Sequence, residues 1–239
     1  MSALGRPRLH LRSTDSTNDR ARALAIAGAP HGTLVTASLQ TAGRGRQGRR
    51  WIAPANSSLL MSLILRSPPP LLPLIAAVAV CDVARGDARI KWPNDVVVEH
   101  SNGLSKLAGI LAEGRPQQGW AILGIGLNVA LRPEEMPAEL RHRTATLGRS
   151  PREIEPVLRA LLDALELRLG EEQGRTLDAW RALDALRGRE IAWGVHEHAG
   201  ELERGRAEGI DGTGRLVVAL PGGGHTTLAA GEVHLREAP

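Results

Sequence analysis

The chain has 239 residues, 42% of them hydrophobic, a formal charge of +4 and a sequence pI near 10.4. That length suits one sizeable domain, or a domain and a small module. With no Phe, no Tyr and five Trp, it lacks the aromatic platform on which single-stranded nucleic acid stacks. Acids interleave with the arginines, as in Arg152-Glu153 and in Glu171-Glu172 near Arg175, which argues against a basic nucleic-acid module despite the high pI.

In chain order, Leu9 to Ser13 predicts a short strand. Ser16 or Thr17 caps a helix running to about Ala27, and Gly28 ends it. Thr33 to Ser38 alternates and is β-branched, so it predicts a strand. A glycine- and arginine-rich loop follows, then a strand over Ser58 to Arg66. Prolines 68–70 break the chain before a buried helix over Leu71 to Arg85. Further strands are expected at Arg89 to Trp92, Val96 to Glu99, Leu107 to Glu113 and Trp120 to Val129. Asn102-Gly103 is a hairpin signal between the second and third of these. Helical spacing recurs over Pro151 to about Leu169 and over Leu177 to Leu186.

The pattern changes near Gly188. Short strands separated by glycine turns are expected at Glu190–Val195, Gly200–Gly209, Arg215–Leu220, His225–Leu228 and Glu232–Leu235. The reading is an α/β (α+β) domain over residues 1–186, with a mixed sheet flanked by helices. A small β-barrel over residues 187–239 follows it.

Cys81 is alone, inside the apolar run Leu71 to Ala84, and is expected to be a buried thiol. A single unpaired cysteine and the lack of a signal-peptide pattern point to the reducing cytoplasm. No apolar run is long enough to span a bilayer, so no membrane partner is expected.

The loop from Gln40 to Trp51 concentrates chemistry. Gly43, Gly45 and Gly48 alternate with Arg44, Arg46, Arg49 and Arg50, and Trp51 closes the run. Such a segment allows close backbone approach and offers planar cationic forks to an anionic ligand. It lacks the GK[ST] of a phosphate-binding P-loop, and its GxGxxG spacing is accidental, because no helical pattern follows. By itself it is equally a solvated basic linker. Ser16-Thr17-Asn18 is a helix cap or a donor–acceptor set on a pocket wall. Lys91-Trp92-Pro93-Asn94-Asp95 gathers polar groups at a strand junction, or is simply a turn with an Asx bond. Lys106 opens a strand, where a lone cation is usually solvated. Gly124 and Gly126 interrupt an apolar strand that ends in Asn128, and glycine there often marks close approach of a ligand or backbone.

Taken in order, these motifs resemble the biotin–protein ligases, also called biotin–[acetyl-CoA-carboxylase] ligases. The matching elements are Ser16-Thr17-Asn18, GRGRQGRRW at 43–51, KWPND at 91–95, KLAGIL at 106–111, GIGLNV at 124–129 and Ala145-Thr146-Leu147. Near the C-terminus, Gly209-Ile210-Asp211-Gly212 and Gly231-Glu232-Val233 also match. The ordered set covers nearly the whole chain. Ten residues separate Asp95 from Lys106, several more than is usual in the family, so a longer hairpin is expected there. Only about a dozen residues precede the first motif. That suggests the short type without an N-terminal DNA-binding domain, and no DNA binding is expected.

The resemblance implies a class II synthetase-like catalytic domain followed by an SH3-like barrel. It implies ATP and biotin as substrates, Mg²⁺, and a biotin carboxyl carrier protein domain as acceptor. The family includes monomers and homodimers. Biotin contacts are implied for Ser16, Thr17, Asn18, Gln40, Gly43, Arg44 (through its backbone), Gly45, Lys106, Gly109, Gly124 and Gly126. Arg46, Trp51, Lys91, Asn94, Asp95, Lys106 and Asn128 are implied for ATP or the adenylate. Lys106 and Arg46 are implied as the catalytic cations. Asp95 is implied either for the metal or for orienting Lys91. A lipoate ligase or octanoyltransferase of the same fold is the nearest rival, but Cys81 lies in an apolar helix and offers no octanoyl-accepting thiol.

Overall fold

The protein is described as a computed structural model, covering residues 4–101, 103–115, 118–194, 202–229, 231 and 233–235. It opens with β1 (Arg8–Leu11), α1 (Thr17–Ile26), β2 (Leu34–Ala37) and β3 (Ser58–Arg66). Then come α2 (Leu72–Ala84), β4 (Ala88–Lys91), β5 (Asp95–His100), β6 (Gly103–Arg115) and β7 (Trp120–Asn128). These seven strands form one sheet in the order β1-β2-β3-β7-β6-β5-β4. The β1–β2 pair is parallel and the remaining pairs are antiparallel, so the sheet is mixed as expected. Asn102 of the expected hairpin turn lies outside the described residues, but His100 pairs with Gly103 around it.

Period-two alternation gives the sheet two distinct faces. Leu59, Met61, Leu63 and Leu65 of β3 join the main core with α2. Ile64 of β3 and Ile122 of β7 instead pack with Ala21 and Ala25 of α1. Helix α2 is apolar around nearly its whole circumference, Asp82 excepted, because it is buried on both sides. It lies between β4–β6 and two later helices, α4 (Ile154–Leu169) and α5 (Gln173–Ala182). A short helix α3 (Ala138–Arg141), which the sequence reading missed, precedes them.

Two helix expectations need correction. The segment from Pro151 begins as a 3-10 turn over Pro151–Glu153, closed by a capping box in which the Ser150 N–H donates to the Glu153 carboxylate at 2.8 Å. The last predicted helix starts earlier and ends at Ala182 rather than Leu186. Beyond Leu183 the backbone is drawn to the sheet edge: Ile90 N–H donates to Leu183 O (2.7 Å) and Ala185 N–H to Ile90 O (2.9 Å).

The C-terminal strands are β8 (Glu190–Trp193), β9 (Glu203–Ile210), β10 (Leu216–Ala219), β11 (His225–Leu228) and β12 (Val233–Leu235). They form an antiparallel sheet in the order β11-β10-β9-β8-β12. Val195, residues 200–201 and Glu232, included in the expected strands, lie outside the described residues. The sheet is tied to the rest of the molecule. Trp92, 2% exposed, donates its indole N–H to Gly214 O at 3.1 Å. Gln173 and Arg181 of α5 donate to Gly212 O and Ile210 O. No helix among the described residues is long and apolar enough to cross a membrane.

Candidate active site

A cleft of about 740 Å³, its open mouth included, lies on the α1 face of the large sheet. It gathers Ser16, Thr17, Asn18, Gln40, Arg44, Gly45, Arg46, Trp51, Asn94, Asp95, Lys106, Gly109, Gly124 and Gly126 from motifs scattered over more than a hundred residues. Of the residues picked out from sequence, Gly43, Lys91 and Asn128 are not among those lining it.

One end is a neutral hydrogen-bonding wall. Ser16 stands before α1 with extended φ −150° and makes no side-chain capping bond, so its buried hydroxyl is not a plain N-cap. Its N–H donates instead to Asp15 Oδ1 at 2.8 Å, and this bond leads the causes that hold the Asp15 carboxyl below its ordinary value. Gln40 Oε1 accepts from both the N–H (2.7 Å) and the hydroxyl (3.0 Å) of Thr17. Ser62 Oγ lies 2.8 Å from Thr17 Oγ1 and 2.6 Å from Asn18 Oδ1, positioned to donate to either. Asn18 Nδ2 donates to Glu113 Oε2 at 2.7 Å.

Glycines form the floor. Gly109 of β6 pairs with Gly126 of β7, and Leu111 pairs with Gly124. A methyl group on Gly124 would stand 2.2 Å from Asn18 Oδ1, and one on Gly126 would stand 2.5 Å from the Trp51 ring. Gly109 faces both Trp51 and the end of the Lys106 side chain. Trp51 therefore lies flat on bare backbone, and the strand glycines make room for this protein's own side chains as well as for any ligand.

Beyond the glycine pair the lining becomes charged. Lys106 Nζ pairs with Asp95 Oδ1 at 2.7 Å and stands 5.6 Å from the Trp51 ring centroid. Asp95 thus holds Lys106, a partner the motif spacing had not suggested, while Lys91 sits across from it in the β4–β5 register. Asn94 donates to Ile110 O at 2.8 Å and accepts from Arg46 at 3.3 Å. The loop itself folds back, with Trp51 N–H donating to Gly43 O (2.9 Å) and Gly45 N–H to Arg49 O (2.7 Å). Where the sequence offered no helical pattern, a 3-10 turn spans Arg46–Gly48.

Asn128 is buried and occupied. Its amide donates to Lys106 O (3.3 Å) and Ala145 O (2.9 Å), and its oxygen accepts from Ser58 (3.1 Å). Cys81 is buried in α2, where desolvation pushes its thiol up to about 12. Sequence reasoning missed Ser62 and Glu113. The signal that finds them is parity: Ser62 shares a face with Ile64, and Glu113 shares one with Gly109 and Leu111.

Residues 10–129 match the Biotin/lipoate A/B protein ligase family, and residues 197–236 match the Biotin protein ligase C terminal domain. A biotin–[acetyl-CoA-carboxylase] ligase of Mycobacterium tuberculosis is 36% identical, over 93% of this chain and 87% of that protein. Its counterpart in Paracoccus denitrificans is 34% identical, over 92% of this chain and 97% of that protein. The bifunctional ligase/repressor BirA of Bacillus subtilis is 42% identical over 56% of this chain, and the match spans 44% of that protein's length. Among solved structures, the biotin protein ligase from Aquifex aeolicus in complex with biotin and ATP superposes with a TM-score of 0.77 at 25% identity. That superposition covers 98% of this chain and 100% of that one. Motif order, sheet topology and these likenesses agree that the chain belongs to the Biotin/lipoate A/B protein ligase family.

Proposed function

We propose that the protein is a biotin–protein ligase. It activates biotin with ATP to biotinyl-5′-AMP and transfers biotin to a lysine of a biotin carboxyl carrier protein domain. The observation that carries this reading is the two-ended cleft. The neutral wall of Thr17, Asn18 and Gln40 suits a ureido ring, which is uncharged and needs paired donors and acceptors. The glycine floor suits an aliphatic tail. The Lys106 and Arg46 end suits a carboxylate meeting a phosphate.

In the first half-reaction a carboxylate oxygen of biotin attacks the α-phosphorus, and the bond to the departing pyrophosphate breaks. Two anions must approach, and fixed cations in a partly dry cleft lower that barrier. Lys106 bridges the carboxylate and the α-phosphate, and Arg46 holds the phosphate side. In the second half-reaction the lysine amine attacks the acyl carbon and AMP leaves. Trp51 flanks the adenylate, and the cationic loop covers it and keeps water away. Asn94 and Asp95 position these two cations. The bonds of Asn128 support a role in fixing the end of β7 against Lys106, in place of a direct nucleotide contact.

No cluster of three His, Cys, Asp or Glu side chains forms a metal site among the described residues. Asp95 is the one carboxylate lining the cleft among the described residues. Asp95 would be the residue to help hold a Mg²⁺ brought by the ATP phosphates, and that ion would offset the triphosphate charge, since Mg²⁺ usually takes one or two carboxylates and completes its shell with phosphate and water. The catalytic unit is residues 1–186 and the C-terminal module residues 187–239. The positive φ of Gly188 and the return of β9 to Arg189 support that division. The buried lone thiol is in keeping with a cytoplasmic protein.

Biotin-dependent exchange of labelled pyrophosphate into ATP tests the reading, with lipoate and octanoate in parallel. Exchange with biotin alone is expected. Exchange only with lipoate or octanoate would keep the fold and change the substrate. No exchange with any acid would overturn the catalytic roles of Lys106 and Arg46.

A further inference from the structure

Glu113 is a largely shielded carboxylate on β6 that no part of the two half-reactions uses, yet it accepts from three side chains on three different segments. One oxygen accepts from Asn18 Nδ2 at 2.7 Å. The other accepts from Arg22 Nη2 at 2.7 Å and from Arg44 Nη2 at 2.9 Å. Arg44 also donates to Asp19 Oδ1 at 2.5 Å, and Arg22 donates to the same oxygen at 2.9 Å. Asn18 belongs to the neutral wall, whereas Arg44 belongs to the cationic loop. The Glu113 side chain is 21% exposed and that of Arg44 39%, so the pair is shielded enough to matter and open enough to exchange.

We infer that Glu113 is a positioning residue: its carboxylate clamps the root of the cationic loop, through Arg44, to the Asn18 wall of the pocket. The geometry explains why a carboxylate is needed there. Only a group with two accepting oxygens meets donors on both sides. A glutamine in its place has one oxygen and one NH₂, and whichever way it turns the NH₂ faces a donor unless a neighbour also turns over. Asn18 can turn over, because Ser62 Oγ is able to accept as well as donate. The arginine side then keeps an oxygen but loses the ionic part of its bond. The two ends of the cleft are thereby coupled. A wall set by Asn18 places the loop root, and a placed loop root keeps Asn18 in register. The inference rests on the ligase reading for its kinetic consequence but not for the clamp itself.

The test uses the full chain and two variants, Glu113→Gln and Arg44→Gln, with the double variant completing the cycle. The first readout needs no ligand. Trypsin cuts after arginine, so the rate of nicking between Arg44 and Arg50 at native temperature reports loop anchoring. The expected result is nicking about tenfold faster in Glu113→Gln, the size that loss of the ionic part of one bond gives, with Arg50 cleavage in Arg44→Gln accelerated at least as much and the double variant no faster than Arg44→Gln alone. The second readout is kinetic: KM for biotin rises about tenfold in Glu113→Gln while kcat stays within a few-fold. Unchanged nicking and unchanged KM in a variant of normal thermal stability would overturn the clamp. Wild-type protein that shows no exchange with biotin would sink the ligase reading, and the nicking rates would still decide the clamp. If Glu113→Gln fails to fold, Arg44→Gln carries both readouts alone, because it releases the loop without altering β6.

Discussion

At the α1 end of the cleft the polar side chains are buried and bonded to one another, whereas at the loop end the charged ones are half-exposed. Thr17 and Asn18 are each 4% exposed and Ser62 is fully buried. The Lys106 side chain is 40% exposed and meets a single carboxylate. The difference follows from range. A neutral ligand group is recognised only at hydrogen-bond distance, so its donors and acceptors must be fixed in advance. A charged one is felt over several ångströms, so its partners can remain mobile until it arrives.

Replacing Lys106 with Ala breaks the loop end most severely. Biotin-dependent pyrophosphate exchange is expected to fall on the order of a hundredfold, with biotin affinity changed much less. At the other end, Gly124→Ala forces Asn18 aside, and KM for biotin is expected to rise about tenfold with kcat little altered, as steady-state kinetics would show. Equal loss of kcat in both variants would erase the distinction between the two ends. Ser62→Ala sharpens it further. The hydroxyl it removes serves Thr17 and Asn18, so thermal unfolding should show a loss of about 1 kcal/mol alongside a few-fold rise in KM for biotin.

The smallest expected effect lies outside the cleft. Asp184 is pushed above its ordinary value by desolvation, and its Oδ2 is buried without a hydrogen bond. A carboxyl raised in the folded state carries its penalty at neutral pH, and the penalty fades as pH falls through the raised value towards the ordinary one. Asp184→Asn keeps the bond from Leu186 N–H to Oδ1. Its melting temperature is expected to exceed that of the wild type at neutral pH, with the gap closing in acid.

Much of the scaffold was legible because alternation and turn chemistry are local. The bounds of β3 and β11 fall where the residues predict, and α2 is one residue shorter at each end. Helix α5 ends earlier than its residues suggest because the pull of β4 on Leu183 and Ala185 is a long-range effect no window of residues contains. The site divides the same way. Motif residues such as Thr17, Gln40 and Lys106 line one cleft, as the ordered motif set had grouped them. Ser62 and Glu113 carry no motif. Their importance appears only once β3, β6 and β7 are paired in register, which sets the residues opposite Gly124 and beside Asn18. The pairing of Asp95 with Lys106 was hidden for the same reason, the β5–β6 register shift between Val96 and Val97 being invisible in the chain.

The bond from Trp92 to Gly214 has a consequence for the order of events during synthesis. Asn94 and Asp95 project from the turn that Trp92 anchors, and the carbonyl that receives the indole N–H lies 122 residues further along. A growing chain therefore holds the whole glycine floor and the cationic loop well before the support under that turn has been made. The Lys106 end of the cleft thus draws part of its support from a segment made late, the β9–β10 turn.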